Sequence, residues 1–119
     1  MRRKLSKKQR LKKQLDRLVQ TIGVSLNPTC LICDNRTSEM HHYIQKKQSL
    51  YLRYDFRNLI PLCKACHCSH HIAGNPRIHQ MILRRKGFEW ADSLEKDRRI
   101  FFKDTVANLL EVKERLEAI

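Results

Sequence analysis

A chain of 119 residues with 25 Lys and Arg against 12 Asp and Glu, a formal net charge of +13, suits one compact domain with extensions rather than two full domains. It has no apolar run long enough to span a bilayer, and its start, MRRKLSKKQRLKKQL, is basic without the apolar core of a secretory signal. A membrane protein is thereby excluded as an expectation. The expected setting is the cytoplasm, a reducing interior where paired cysteines hold metal more often than they form disulfides.

The charge is uneven. Residues 1–29 carry nine Lys or Arg and one acid, residues 30–88 ten and three, and residues 89–119 six and eight. A positive field over the first three quarters points to a polyanionic partner, nucleic acid first among them.

Leu11, Leu15, Leu18 and Ile22 recur at steps of four, three and four, so residues 4–22 read as a helix with Gly23 as its stop. This basic helix either props the domain or lies along phosphates, and SLNPT after it is a turn-rich link. Residues 30–73 change character. MHHYI and LIPL read as strands, QKKQSLYLRYDFRN between them as a long loop, and the chain from Lys64 to about Ala73 as a helix ended by Gly74. GNPRIHQMILRRKG reads as a helix capped by Asn75, with Pro76 in its first turn and Gly87 past its end. Ile78 and Ile82 are its buried residues, with Met81 at the margin. Another short helix starts near Asp92. From about Phe101, the stripe Phe102, Val106, Leu109 and Leu116 packs on the domain or makes a dimer contact.

The stretch CKACHCSHH, residues 63–71, holds more metal-type ligands than one ion can take. Cys30-x-x-Cys33 and Cys63-x-x-Cys66 form two knuckles, the spacing of a tetrahedral four-thiolate zinc site, and Cys68 is left over. A small core with few large apolar runs gains from such a staple. On a helix, His67 and His71 stand ~6 Å apart along one face, with His70 a weaker alternative. His41-His42 lie on a strand, where neighbours point to opposite sides, so one can bind metal while the other serves a separate task.

The ordered set His41-His42, Asn58 sixteen residues after His42, His67 nine later and His71 four later, together with NLIPLCKACH, resembles the HNH endonucleases. The likeness is to the ββα-metal type with a four-cysteine zinc site, and the spacings are similar to those of colicin-type HNH DNases. HHYI, SLYLRYDFRNLIPLCKACH and AGNPRIHQMILRRKG extend a narrower resemblance, over about residues 30–95, to the phage NinG/Rap recombination nucleases.

The resemblance implies a small α+β fold in three parts: a basic helical arm and linker over 1–29, a zinc-stapled ββα-metal core over 30–88, and a C-terminal helical extension over 89–119. It implies DNA as substrate and a single divalent ion, Mg2+, Mn2+, Ni2+ or Zn2+, between His41, His67 and His71. His42 would be the general base, its ring held by the backbone around Asn58, whose side chain fixes two strands together. Arg53 and Arg57, and less strongly Lys46 and Lys47, are candidates to hold phosphates; the alternative for them is surface charge. The implied setting is phage recombination or branched-DNA processing in a bacterial or phage-infected cell. A non-catalytic zinc ribbon is the rival reading. It accounts for the cysteines and the charge, but not for four histidines at nuclease spacing.

Overall fold

The computed structural model describes residues 3–71 and 74–119, with the side chain of His71 also outside the described set. Helix α1 (Lys7–Leu26) starts at a capping box: the Ser6 hydroxyl accepts from Gln9 N–H, and the Gln9 side chain accepts from Ser6 N–H. Four residues extend it beyond the expected end at Ile22. Gly23 lies within the helix because the chain needs a close approach there: a Cβ on it would stand 2.5 Å from Met40 Cγ. The helix ends where Asn27 precedes Pro28, a residue pair that disfavours continued α conformation.

Strands β1 (Glu39–His42) and β2 (Leu59–Leu62) pair antiparallel, His41 opposite Ile60 and His42 opposite Leu59. The expected long loop between them is partly helical. It contains α2 (Leu50–Arg53), capped by Ser49, and a 3-10 turn at Phe56–Asn58, capped by Asp55. Their short polar caps were the missed signal. Helix α3 (Lys64–His71) follows β2 directly; Ile72 and Ala73, where its end was expected, lie outside the described residues. Helix α4 (Pro76–Lys86) has Asn75 as cap and Gly87, at φ +92°, after its end, as the sequence reading has it. Helix α5 (Phe88–Asp97) begins four residues earlier than expected, and α6 (Val106–Glu117) is capped by Thr105. The fold is small α+β, with a two-stranded antiparallel sheet followed by a helix and four clustered cysteines, the arrangement of a ββα-metal unit.

Strand alternation divides the sheet into two faces. Met40, His42 and Leu59 share one. There Met40 and Leu59 pack with Leu11, Leu15 and Val19 of α1 and with Leu109, Val112 and Leu116 of α6. Burying each of the large α1 side chains contributes on the order of 2 kcal/mol. The periodicity places Leu18 and Ile22 at the centre of the α1 stripe, but both are only partly buried, and Val19 holds that position. The apolar face of α6 is thereby used within the chain, against α1. Glu39, His41, Ile60 and Leu62 share the opposite face, where Ile60 and Leu62 pack with Cys30, Cys63, Ile78 and Ile82. The sheet thus lies between α1 and the α3–α4 pair, with one histidine of the doublet on each face.

Candidate functional site

The cysteines converge without a disulfide. The Sγ atoms of Cys30, Cys33, Cys63 and Cys66 all lie within 4.8 Å of one another, and Cys33 and Cys63 are 3.4 Å apart. Four thiolates around a tetrahedral ion at ~2.3 Å have edges of about 3.8 Å, so the donor set fits one cation. Each knuckle also donates backbone N–H to sulfur: Ile32 N–H to Cys30 Sγ and Cys66 N–H to Cys63 Sγ, both at 3.4 Å. Asp34, at φ +62°, turns the first knuckle. The Cys66 N–H draws Cys63 down to about 7, whereas burial and the neighbouring sulfurs push Cys66 up. Crowded thiols hold one another's protons, and a bound cation is what favours four thiolates together. Cys68 stands outside the cluster.

Across the sheet from α1, the His41 ring meets α3. Its centroid lies 6.0 Å from that of His67 and 4.8 Å from that of His70, both edge-on. Two imidazoles sharing one ion through ~2.1 Å bonds at ordinary ligand angles put their centroids about 4.6–5.3 Å apart, a spacing that His41–His70 meets and His41–His67 exceeds by under 1 Å. His70, the weaker alternative by helix geometry, is the nearer ring. The expected third ligand, His71, ends α3, and its side chain is outside the described set.

His67 Nδ1 lies 2.7 Å from Glu39 Oε1. A carboxylate behind a histidine fixes its ring and tautomer. Glu39 is a residue the sequence reading missed. Its signal was present, since residues two apart on a strand share a face and Glu39 precedes His41 by two.

His42 turns the other way. Its Nε2 lies 2.9 Å from the carbonyl oxygen of Arg53, an acceptor only, so Nε2 donates and Nδ1 remains as the ring's acceptor. Burial lowers the pKa of His42 below the ordinary histidine value, against the raising effect of that hydrogen bond. The neutral imidazole is thereby favoured.

Asn58, fully buried, is one step behind. Its Oδ1 accepts from Ile44 N–H at 2.7 Å, and its Nδ2 donates to the carbonyls of Ile44 at 2.9 Å and Leu52 at 3.3 Å. The side chain ties the exit of β1 to α2, whose last residue supplies the carbonyl for His42.

His41, His42 and His67 line one cleft of about 250 Å³ with Gln20, Glu39, Met40, Gln45 and Lys46. Another cavity, about 350 Å³, lies toward α6 among Tyr51, Tyr54, Phe56, Phe102 and Leu116, and no histidine or cysteine lines it.

The basic candidates divide. Lys46 is exposed at the cleft and Lys47 is exposed beside it. Arg53 is held by Asp16 through Nε–Oδ1 at 3.0 Å and Nη2–Oδ2 at 2.6 Å. Arg57 pairs with Asp55 and Asp97, each at 2.9 Å from Nη2. Phosphate contact by either arginine therefore requires a guanidinium shared with carboxylates.

Residues 28–72 match the family model of the HNH endonucleases. No curated protein and no solved structure matches the chain. Among the described residues, no helix is long and apolar enough to cross a membrane.

Proposed function

We propose that this chain is a metal-dependent endonuclease that hydrolyses DNA phosphodiester bonds in the cleft between β1 and α3, with His42 as general base. The observation that carries this reading is the divided doublet. Two adjacent histidines line one cleft, yet one ring meets the histidines of α3 while the other is fixed through Nε2 by a backbone carbonyl. The match of residues 28–72 to the HNH endonucleases supports it independently.

In this reading a water at His42 loses its proton to Nδ1, the acceptor left once Nε2–H is bound to Arg53. Arg53's carbonyl keeps the ring from turning and steadies the imidazolium that forms. Asn58 holds that carbonyl's segment against β1.

His41 and His67, with His71 as the expected third ligand, hold a divalent ion that, when bound, supplies charge relief to the phosphate and the leaving oxygen. Mg2+, Mn2+, Ni2+ and Zn2+ are all compatible with these donors. Glu39 orients His67 from behind. The four cysteines form a structural zinc site that anchors the start of α3 under His67. Arg10, Lys13 and Arg17 on the exposed side of α1, with Lys46 and Lys47, provide the positive surface for the DNA backbone. The arm, the core over 30–88 and the C-terminal extension act as one unit. Phage recombination or branched-DNA processing is the finer reading.

The test is cleavage of plasmid, linear, single-stranded and branched DNA by the wild type and His42→Ala, with EDTA and with each ion added back. The expected result is metal-dependent cutting that falls by on the order of 10²–10⁴-fold in His42→Ala, with DNA binding and zinc content kept. DNA binding without cutting of any substrate under any ion overturns the nuclease reading in favour of a zinc ribbon. Preference for branched substrates supports the recombination role.

A further inference from the structure

Helix α1 lies outside residues 28–72, yet it grips the segments on both sides of His42. Asp16 and Gln20 are four apart, on one face of the helix. Gln20 holds β1 by both backbone groups of Met40: its Nε2 donates to Met40 O and its Oε1 accepts from Met40 N–H, each at 2.8 Å. One turn earlier, Asp16 accepts two hydrogen bonds from the Arg53 guanidinium in a two-point fork. The carbonyl of that same Arg53 receives Nε2–H of His42. The chain of contact runs from α1 carboxylate to guanidinium, along one residue to its carbonyl, and from there to the imidazole.

This pair is half-buried, with the Arg53 and Asp16 side chains 20% and 23% exposed. A surface ion pair contributes little to stability. As a geometric restraint the fork matters more, because Arg53 ends α2, a helix of only four residues that cannot hold its own C-terminus firmly. Asp16 is also the one acid among residues 1–29, on an otherwise basic helix. A helix serving only as a polycation has no use for it there.

We infer that Asp16 is a positioning residue for the His42 imidazole, acting through the guanidinium and carbonyl of Arg53, so that α1 is part of the catalytic apparatus rather than only a basic arm. The inference rests on the reading of His42 as the base, and it makes a separate prediction about the ring itself. With Asp16 in place, His42 is held as the Nε2–H tautomer. Without it, the Arg53 carbonyl is restrained only through Asn58's hold on Leu52, and the ring samples other orientations and the Nδ1–H tautomer.

The experiment uses the full chain as wild type, Asp16→Asn, Asp16→Glu, Arg53→Gln and the Asp16→Asn/Arg53→Gln double variant. Thermal melts establish that each is folded. Nitrogen-15 NMR of labelled histidines reads the His42 tautomer, and steady-state cleavage of a plasmid reads kcat and KM. In Asp16→Asn, kcat is expected to fall by about 10- to 100-fold with KM little changed, and the His42 Nε2–H signal to shift toward a mixed tautomer. Asp16→Glu should recover most of both. Arg53→Gln should match Asp16→Asn, and the double variant should be no worse than either, because both remove one link.

An unchanged His42 signal in Asp16→Asn overturns the inference. So does a double variant whose losses multiply. If the wild type cuts nothing, the nuclease reading fails on its own, and the tautomer measurement still decides whether Asp16 positions the ring.

Discussion

Replacing Gly23 with alanine sets two effects of opposite sign against each other. In a helix interior the change favours folding by about 1 kcal/mol, because alanine loses less backbone entropy. Against that, the new Cβ meets Met40 Cγ at 2.5 Å and Sδ at 3.2 Å. Cγ is only one bond from Met40's own Cβ, so the contact cannot be relieved by swinging the end of the side chain. The backbone cannot withdraw cheaply either. Gln20 holds Met40 by two hydrogen bonds, each worth a net ~1 kcal/mol, and Met40 is buried at 3% exposure. Overpacking of this kind costs about 1–3 kcal/mol. The net expectation for Gly23→Ala is a loss of about 1 kcal/mol, or a Tm lower by roughly 3–6 °C. Urea unfolding of Gly23→Ala, Met40→Ala and the double variant measures both terms. Met40→Ala alone leaves a cavity, which the methyl introduced by Gly23→Ala partly fills, so the double variant should be more stable than Met40→Ala. A Gly23→Ala protein more stable than wild type, or a coupling energy near zero, would refute the reasoning.

Asn58→Ala strips partners from the Ile44 N–H and carbonyl, while the Leu52 carbonyl keeps the Asp55 N–H. At ~1–3 kcal/mol for each buried group left unpaired, softened by relaxation, a loss of about 3 kcal/mol is expected in urea unfolding at pH 7. Removing the cation from the four cysteines with a strong chelator should lower the Tm and open the site's thiols to a thiol reagent. Metal analysis of the untreated protein should find one tightly held zinc per chain at this site. Asp104 is held down to about 2, chiefly by its hydrogen bonds from Lys12 and Lys8, which tie α1 to the segment before α6. A depressed carboxylate contributes stability above its unfolded pKa of ~3.9 and loses it as pH falls through the folded value. The stability gap between wild type and Asp104→Asn should therefore be full at pH 5, shrink below pH 4 and close near pH 2, by urea midpoints at each pH.

The ligand chemistry and the element types were legible in the chain itself. Four cysteines in two C-x-x-C knuckles, the LIPL strand, the helix between Asn75 and Gly87 and the existence of the first and last helices follow from local spacing and caps, which are properties of neighbours in sequence. Local periodicity erred where tertiary contact took over. Gly23 reads as a stop and is a contact point with Met40; the loop after His42 reads as irregular and carries a helix and a 3-10 turn. The partners of the histidines were settled only by the fold. Strand alternation predicts that His41 and His42 diverge, but not that one meets α3 while the other finds the carbonyl of a residue eleven positions on. Arg53 reads as a free cation, because nothing local shows that an aspartate 37 residues earlier will take its guanidinium. Spacing records what one element can offer. Which offers meet is decided by how the helices cross the sheet, and that depends on the packing of the whole chain.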